Sequence, residues 1–265
     1  MTRRGAFRRW ARSRGRGATA RNVAFVALFA VVVLGCASPG AGTSEGSEGE
    51  RVARGRALFE SKGLSPSAMN LFRCVSCHDV TPRASGLLKP GAPLAGVTLR
   101  PTFWGGQEAD LLHAVDDCRS LFMYASQPLE PGTADADALY DYLASLEPGD
   151  AATARFTVVR DIQNLARGDA TRGTTTYAAA CATCHGAMHT GTGQLSDRVP
   201  VLPEDTLLEH AAPGYTPRTQ RLVFIEKTRH GLFLDYGGDM PPFSLEALPD
   251  ADLADVLEAL GVLGE

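Results

Sequence analysis

Long apolar runs are scarce in this 265-residue chain. The longest, residues 23–34, is 12 residues, against the ~20 that a stable membrane span needs. Acidic residues are missing from the first 35 positions, where Arg3, Arg4, Arg8, Arg9, Arg12, Arg14, Arg16 and Arg21 surround or precede that run. A basic segment followed by a short apolar one reads as a signal peptide over residues 1–35, outside the fold. An excess of basic charge is also missing. Lys and Arg number 26 against 30 Asp and Glu, a net −4; without the eight leader arginines the balance is 18 against 30, or −12. That argues against nucleic acid and anionic lipid as partners. It suits a protein partner with a basic docking face, which long-range fields steer toward an acidic surface. A third Cys-x-x-Cys is absent, which argues against a structural zinc site built from such pairs.

Six cysteines are present. Cys36 ends the string Val33-Leu34-Gly35-Cys36, which resembles a bacterial lipobox and implies a lipidated mature N-terminus. The expected location is the bacterial cell envelope, facing the periplasm, with the membrane met only through that lipid. Residues 36–50 are rich in Gly, Ser and Glu, have little to bury, and read as a flexible tether.

Four more cysteines fall in two short strings, Cys74-Val75-Ser76-Cys77-His78 and Cys181-Ala182-Thr183-Cys184-His185, 107 residues apart. Cys-x-x-Cys-His is the attachment signal of a c-type haem. On one helical turn the two thiols come to the same side of the backbone, placed to form thioethers with the two vinyl groups of one haem. The following histidine then serves as proximal iron ligand. A redox dithiol does not require that histidine, still less twice. Two covalently bound haem c groups, each with its iron, are therefore expected, held by Cys74, Cys77 and His78 and by Cys181, Cys184 and His185.

The remaining chain reads as a diverged repeat. A Gly-containing helical segment precedes each motif, at Arg51–Phe59 and Gly168–Tyr177. A proline, Pro93 or Pro200, falls 15 residues after each motif histidine. Each half closes on an amphipathic helix, with Leu139, Tyr142, Leu143 and Leu146 in the first stripe and Leu253, Val256, Leu257 and Leu260 in the second. These stripes match at a spacing of 114 residues. Acids near the helix starts, Asp135, Asp137 and Asp250, suit the helix dipole. The composition of residues 149–160 reads as a linker, ending in Phe156–Arg160 as a short strand or an extended crossing.

This order resembles the class I cytochrome c fold. The resemblance implies an all-α protein of two tandem domains, at 51–148 and 161–265, each a few helices around one covalent haem. It also implies that the carbonyls of Pro93 and Pro200 receive the Nδ1–H of the proximal histidines.

The sixth iron ligand separates the halves. In the second, Gly237-Gly238-Asp239-Met240-Pro241-Pro242-Phe243 places Met240 where class I cytochromes carry a distal methionine, and a thioether raises the haem potential. Met188 and His189 are too near the motif to reach the opposite face, and His210 and His230 read as surface or haem-edge residues. The first half has no Met-Pro. Its candidates are Cys118 and Met123, with His113 or an open position behind them. Five helical residues turn the chain so that Cys118 and Met123 cannot both face one iron without a break. Spacing to the closing helix favours Met123. The pattern Cys118-x4-Met123, Gln127-Pro128-Leu129 and Leu139-Tyr140-Asp141-Tyr142-Leu143 resembles the Cys-ligated haem domains of thiosulfate dehydrogenases and of the sulfur-oxidising cytochrome complex, which implies Cys118 as ligand. The run around Met123 departs from that family, with Arg119 directly after the cysteine.

Electron transfer between redox partners is the expected function. The alternative is a thiosulfate dehydrogenase-like enzyme that oxidises a reduced sulfur compound at the first haem, with Cys118 as carrier and Arg119 holding the anion. A dihaem peroxidase needs acid–base groups beside an open iron and is less favoured. The Phe103-Trp104 stretch reads as a loop covering the haem edge.

Overall fold

The computed structural model describes residues 47–147, 154–231, 233–234 and 239–264. The expected leader, Cys36, most of the tether, residue 148, residues 149–153 of the linker, and Gly237-Gly238 lie outside them. Among the described residues the regular structure is helical, with one isolated bridge between Phe103 and Glu108 and no strand. The all-α expectation holds.

The first half opens with α1, Glu48–Glu60. It begins inside the segment read as tether, because Ser47 and Glu50 form a capping box: the Ser47 amide donates to the Glu50 carboxylate at 2.6 Å. The motif turn α2, Cys74–Cys77, follows, then α3, Leu111–Phe122, capped by Asp110, then α4, Ala134–Ala144, capped by Thr133. The second half repeats the outer pair. Its α5, Ala170–Ala180, is capped by Asp169 and leads into the motif turn α6, Ala182–His185. After α7, Glu204–Glu209, and α8, Pro217–Arg229, it closes with α9, Asp250–Ala259.

In each half the helix before the motif crosses the closing helix at a glycine. A Cβ on Gly55 of α1 would overlap the Ala138 carbonyl oxygen of α4. A Cβ on Gly173 of α5 would overlap the Asp255 carbonyl oxygen of α9. Backbones this close leave no room for any side chain, which explains a glycine in a helix interior despite its poor propensity. The paired contacts align Ala138 with Asp255, a spacing of 117 residues, where the apolar stripes matched at 114. The difference is about one helical turn, and a stripe that repeats every turn cannot register that shift.

The closing stripes are buried as expected: Leu139, Tyr142 and Leu143 in one core, Leu253, Val256, Leu257 and Leu260 in the other. Each such side chain contributes roughly 1.5–3 kcal/mol on leaving water. Phe59 meets Tyr142 with ring centroids 5.5 Å apart, and Tyr177 donates its hydroxyl to the Gly186 carbonyl at 3.0 Å. A third cluster, of Phe72, Phe122 and Met123, has Cys118 of the first half and Cys184 of the second packed against it.

Residues 154–160 have no regular structure and form no ladder. The segment is tied to the second half by Thr157, whose amide and hydroxyl donate to Glu246, and by the Val159 carbonyl, which bonds to His230 Nε2. His230 is thus a buried tie, with Glu226 on Nδ1 at 2.5 Å, and not a surface residue.

Candidate haem sites

Each motif histidine is oriented by its loop. His78 Nδ1 lies 2.8 Å from the Ala92 carbonyl oxygen, and His185 Nδ1 lies 2.9 Å from that of Pro200. The second acceptor is the expected one. The first is one residue earlier than expected, and the Pro93 carbonyl bonds instead to Arg100. The cause is Gly91, whose backbone lies against the His78 ring so closely that a Cβ there would overlap it; the carbonyl in reach is then that of residue 92. Burial pushes both imidazoles below the usual histidine range, with the carbonyl bonds opposing the shift. A neutral ring that donates through Nδ1 presents the Nε2 lone pair to a metal.

The motif thiols are neutral. Burial raises Cys74 to about 11 and Cys181 to about 12, and moves Cys77 and Cys184 the same way. The Cys77 shift has further contributions from Cys118 and from Cys184, so the two motifs lie near one another. None of the five described cysteines is in a disulfide. Among the described residues no group of three or more His, Cys, Asp or Glu is placed to hold a bare metal ion.

His78, Cys74 and Cys77 open onto a largely apolar cavity of about 630 Å³, within the ~300–1,000 Å³ of cofactor pockets. Cys118, Phe122 and Met123 line it as well. Both sulfur candidates therefore border one cavity. The break that sequence spacing required is present, since α3 ends at Phe122 and Met123 has left helical geometry, with φ −105° and ψ 2°. Met123 is 2% exposed, while Cys118 keeps the accessible area of a cavity wall. Burial, with Cys74 and Asp117 adding, raises the Cys118 thiol to about 12, so a thiolate there needs a cation such as iron. The residues fit a c-type haem: two thiols on one turn, an oriented neutral imidazole, an apolar cavity and sulfur donors on its wall.

Arg119 borders the same cavity, but its guanidinium is engaged. Nε and Nη2 donate to the Leu64 carbonyl at 3.0 and 2.8 Å, and Nη1 to Asp116. These bonds fix α3 to the loop after α1. His113 is exposed beside Glu108 and outside the lining. Met240 is half-buried and packs on the same apolar cluster as Cys181 and Met188. His189 is turned to Glu204 at 2.7 Å, and His210 to the Thr206 carbonyl at 3.0 Å.

Sequence reasoning missed several residues. Lys89 donates to the Val75 and His78 carbonyls at 2.8 and 3.2 Å and pairs with Asp79 at 2.7 Å, both side chains 10% exposed. It closes the C-terminal end of the motif turn, where cationic groups are favourable. The crossing segment 154–160 lines the first cavity with Phe156 and Val158, and so do Pro241 and Pro242 from beyond Met240. No periodicity signals such a contact between distant segments; only the aromatic and proline content hinted at it.

A chain that is helical over its described residues and carries two histidine-bearing Cys-x-x-Cys turns, one opening on a cofactor-sized cavity, resembles a c-type cytochrome in build. The comparisons agree for the second half: residues 168–258 match the family described as cytochrome C oxidase, cbb3-type, subunit III. No curated protein matches the sequence. Among solved structures, the thiosulfate dehydrogenase (TsdBA) of Marichromatium purpuratum, in its "as isolated" form, is similar at 23% identity and a TM-score of 0.40. That alignment covers 82% of this chain and 46% of the other, so the chain spans about half the length of that relative.

Proposed function

We propose that this chain is a dihaem c-type cytochrome that passes electrons between redox proteins at the periplasmic face of a bacterial membrane, held there by lipid on Cys36. The observation that carries the reading is the repeated arrangement at His78 and His185: a Cys-x-x-Cys turn, then an imidazole whose Nδ1 is bound to a loop carbonyl at 2.8 or 2.9 Å. When bound, haem supplies one-electron chemistry, and the protein supplies ligands, burial and orientation. His78 and His185 hold Nε2 toward the cofactor, the cysteines fix it covalently, and the apolar walls exclude water. With haem bound, Cys118 would supply the further sulfur ligand in the first half and Met240 in the second, which would give the first site the lower potential. The acidic surface left after removal of the leader favours partners with a basic face.

The test is a haem count on the mature chain matured for c-type haem. The expected result is two covalent haems, falling to one when Cys74 and Cys77 are both replaced by Ser, and to one when Cys181 and Cys184 are. A chain that retains no haem after denaturation sinks the reading.

The second reading is oxidation of a reduced sulfur compound at the first site. It is favoured by one observation, that Cys118 borders the cavity that His78 faces. Arg119 does not serve it, being engaged with Leu64 and Asp116. Thiosulfate added to the oxidised protein should reduce the haems if this reading holds, and Cys118→Ala should abolish that reduction; haems that stay oxidised exclude thiosulfate as the electron source.

A further inference from the structure

Two residues of the first half that reach the second half are held in left-handed backbone. Trp104 has φ 50° and Tyr124 φ 56°. For a bulky L residue this conformation is unfavourable and persists only where its surroundings impose it. Gly105 and Gly106 continue the left-handed turn after Trp104, with φ 65° and 91°. The indole is then fixed by its Nε1–H, which donates to the Ala114 carbonyl of α3 at 3.0 Å. In this pose the ring stacks on Phe233, with centroids 4.7 Å apart and planes 20° apart. It meets Phe156 of the crossing segment edge-on at 5.9 Å, and Phe122 at 6.2 Å. Tyr124 bonds through its hydroxyl to Asp239, next to Met240.

The placement joins two sites. Trp104 lines the cavity that His78 faces. Trp104 and Phe233 also pack on the cluster of Phe72, Phe122 and Met123, against which Cys118 and Cys184 pack from the two halves. One apolar cluster, with Trp104 and Phe233 among its aromatic members, therefore connects the first cavity to Cys184 of the second motif. The left-handed turn sets the indole flat on a ring from the other half.

Resting on the dihaem reading, we propose that Trp104, stacked on Phe233, is the positioning residue through which an electron passes between the two sites. Its π system shortens the saturated gap that the electron crosses. The indole is neither oxidised nor reduced in the step: one electron leaves the reduced site, one arrives at the oxidised site, and external redox proteins supply and remove it.

The test uses the full holoprotein. A pulse of reductant delivers less than one electron per molecule, and the equilibration between the two haems is followed by their absorbance. Trp104→Leu and Phe233→Leu should each slow equilibration about tenfold or more, with visible spectra and both midpoint potentials unchanged. The double variant should be little slower than either alone, because both substitutions remove one contact. Trp104→Phe, which keeps a ring, should stay within about threefold of the parent protein. Should Trp104→Leu fail to fold, Phe233→Leu decides alone. Equilibration at the parental rate in Phe233→Leu overturns the proposal, as does slowing that a shift in potentials accounts for. A haem count below two instead overturns the dihaem reading on which it rests.

Discussion

In the first half, His78 shares a cavity with two sulfur-bearing side chains of a helix end, and the loop that orients it is closed by the buried Lys89–Asp79 pair. In the second, His185 has the same carbonyl anchor, but the candidate sulfur, Met240, comes from a segment without regular structure before the closing helix. The helix crossings that hold both motifs are nearly interchangeable, glycine against backbone carbonyl in each. What differs is the surroundings of each motif histidine. The scaffold is thus repeated while those surroundings are free to diverge, and on the proposed dihaem reading two potentials can be set on one framework.

The largest effect expected to separate the halves is loss of Lys89. Lys89→Met strips the cation from Asp79 and leaves the Val75 and His78 carbonyls without their donor. The pair is nearly buried, each side chain 10% exposed, and breaking it costs about 3 kcal/mol, the low end for buried pairs. Denaturant titration of the holoprotein should show that loss, with iron ligation at the first site lost before that at the second while both haems stay covalently attached. A stability change below 1 kcal/mol would mean the pair is solvated and idle.

Next in size, Gly55→Ala and Gly173→Ala test the shared part. Alanine is the better helix former by about 1 kcal/mol, yet its Cβ forces the crossing helices apart at a cost of about 1–3 kcal/mol or more. Both variants should be destabilised to a similar extent. A stabilised variant at either position would show that the crossing there is looser than a backbone contact.

Cys118→Ala tests the unshared part. Low-temperature EPR of the oxidised protein should lose the low-spin thiolate signal and keep the signal of the second site. The first potential should rise by on the order of 0.1 V, inside the ~0.8 V that axial ligands command. If instead Met123→Leu removes one low-spin signal and Cys118→Ala changes nothing, Met123 is the ligand and the halves are more alike than proposed.

Much of this was legible in the sequence because it is local. The two motifs, the helix before each, and the stripes of Leu139 to Leu143 and Leu253 to Leu260 all follow from short-range spacing. The Pro200 anchor was legible as well. The Pro93 anchor was displaced by one residue because Gly91 lies against the imidazole, a packing event that spacing does not encode. The register between the closing helices was misjudged by a turn for a related reason, since apolar periodicity repeats at each turn. Residues brought together across the two halves were invisible: Pro241 and Pro242 on the first cavity, Trp104 on Phe233, and His230 buried against Val159. The functional reading of Arg119 was drawn from its adjacency to Cys118, whereas Leu64 and Asp116, distant and near, decide where its guanidinium points.

The smallest effect expected concerns acid sensitivity of the second crossing. Asp255 is buried where α5 meets α9, and Arg172 Nε lies 2.8 Å from its carboxylate. Arg167 lies 2.5 Å from Glu258 one turn on. The hydrogen bond from Arg172 holds Asp255 below the usual carboxylate range against the opposing effect of burial, and Arg167 does the same for Glu258. Groups whose pKa is depressed by folding add stability that is fully present above their unfolded values, about 3.9 and 4.3, and is lost as pH falls through the folded values. Both guanidinia are at least half exposed, so water and salt screen the pairs and the effect is modest. Hydrogen exchange should therefore show α5 and α9 losing protection as pH is lowered from about 5 to 3, less so at high salt, which screens the pairs. Asp255→Asn with Glu258→Gln should lower protection at neutral pH and flatten its dependence on acid. A slope that survives the double substitution would place the acid sensitivity elsewhere and leave the two crossings electrostatically equivalent.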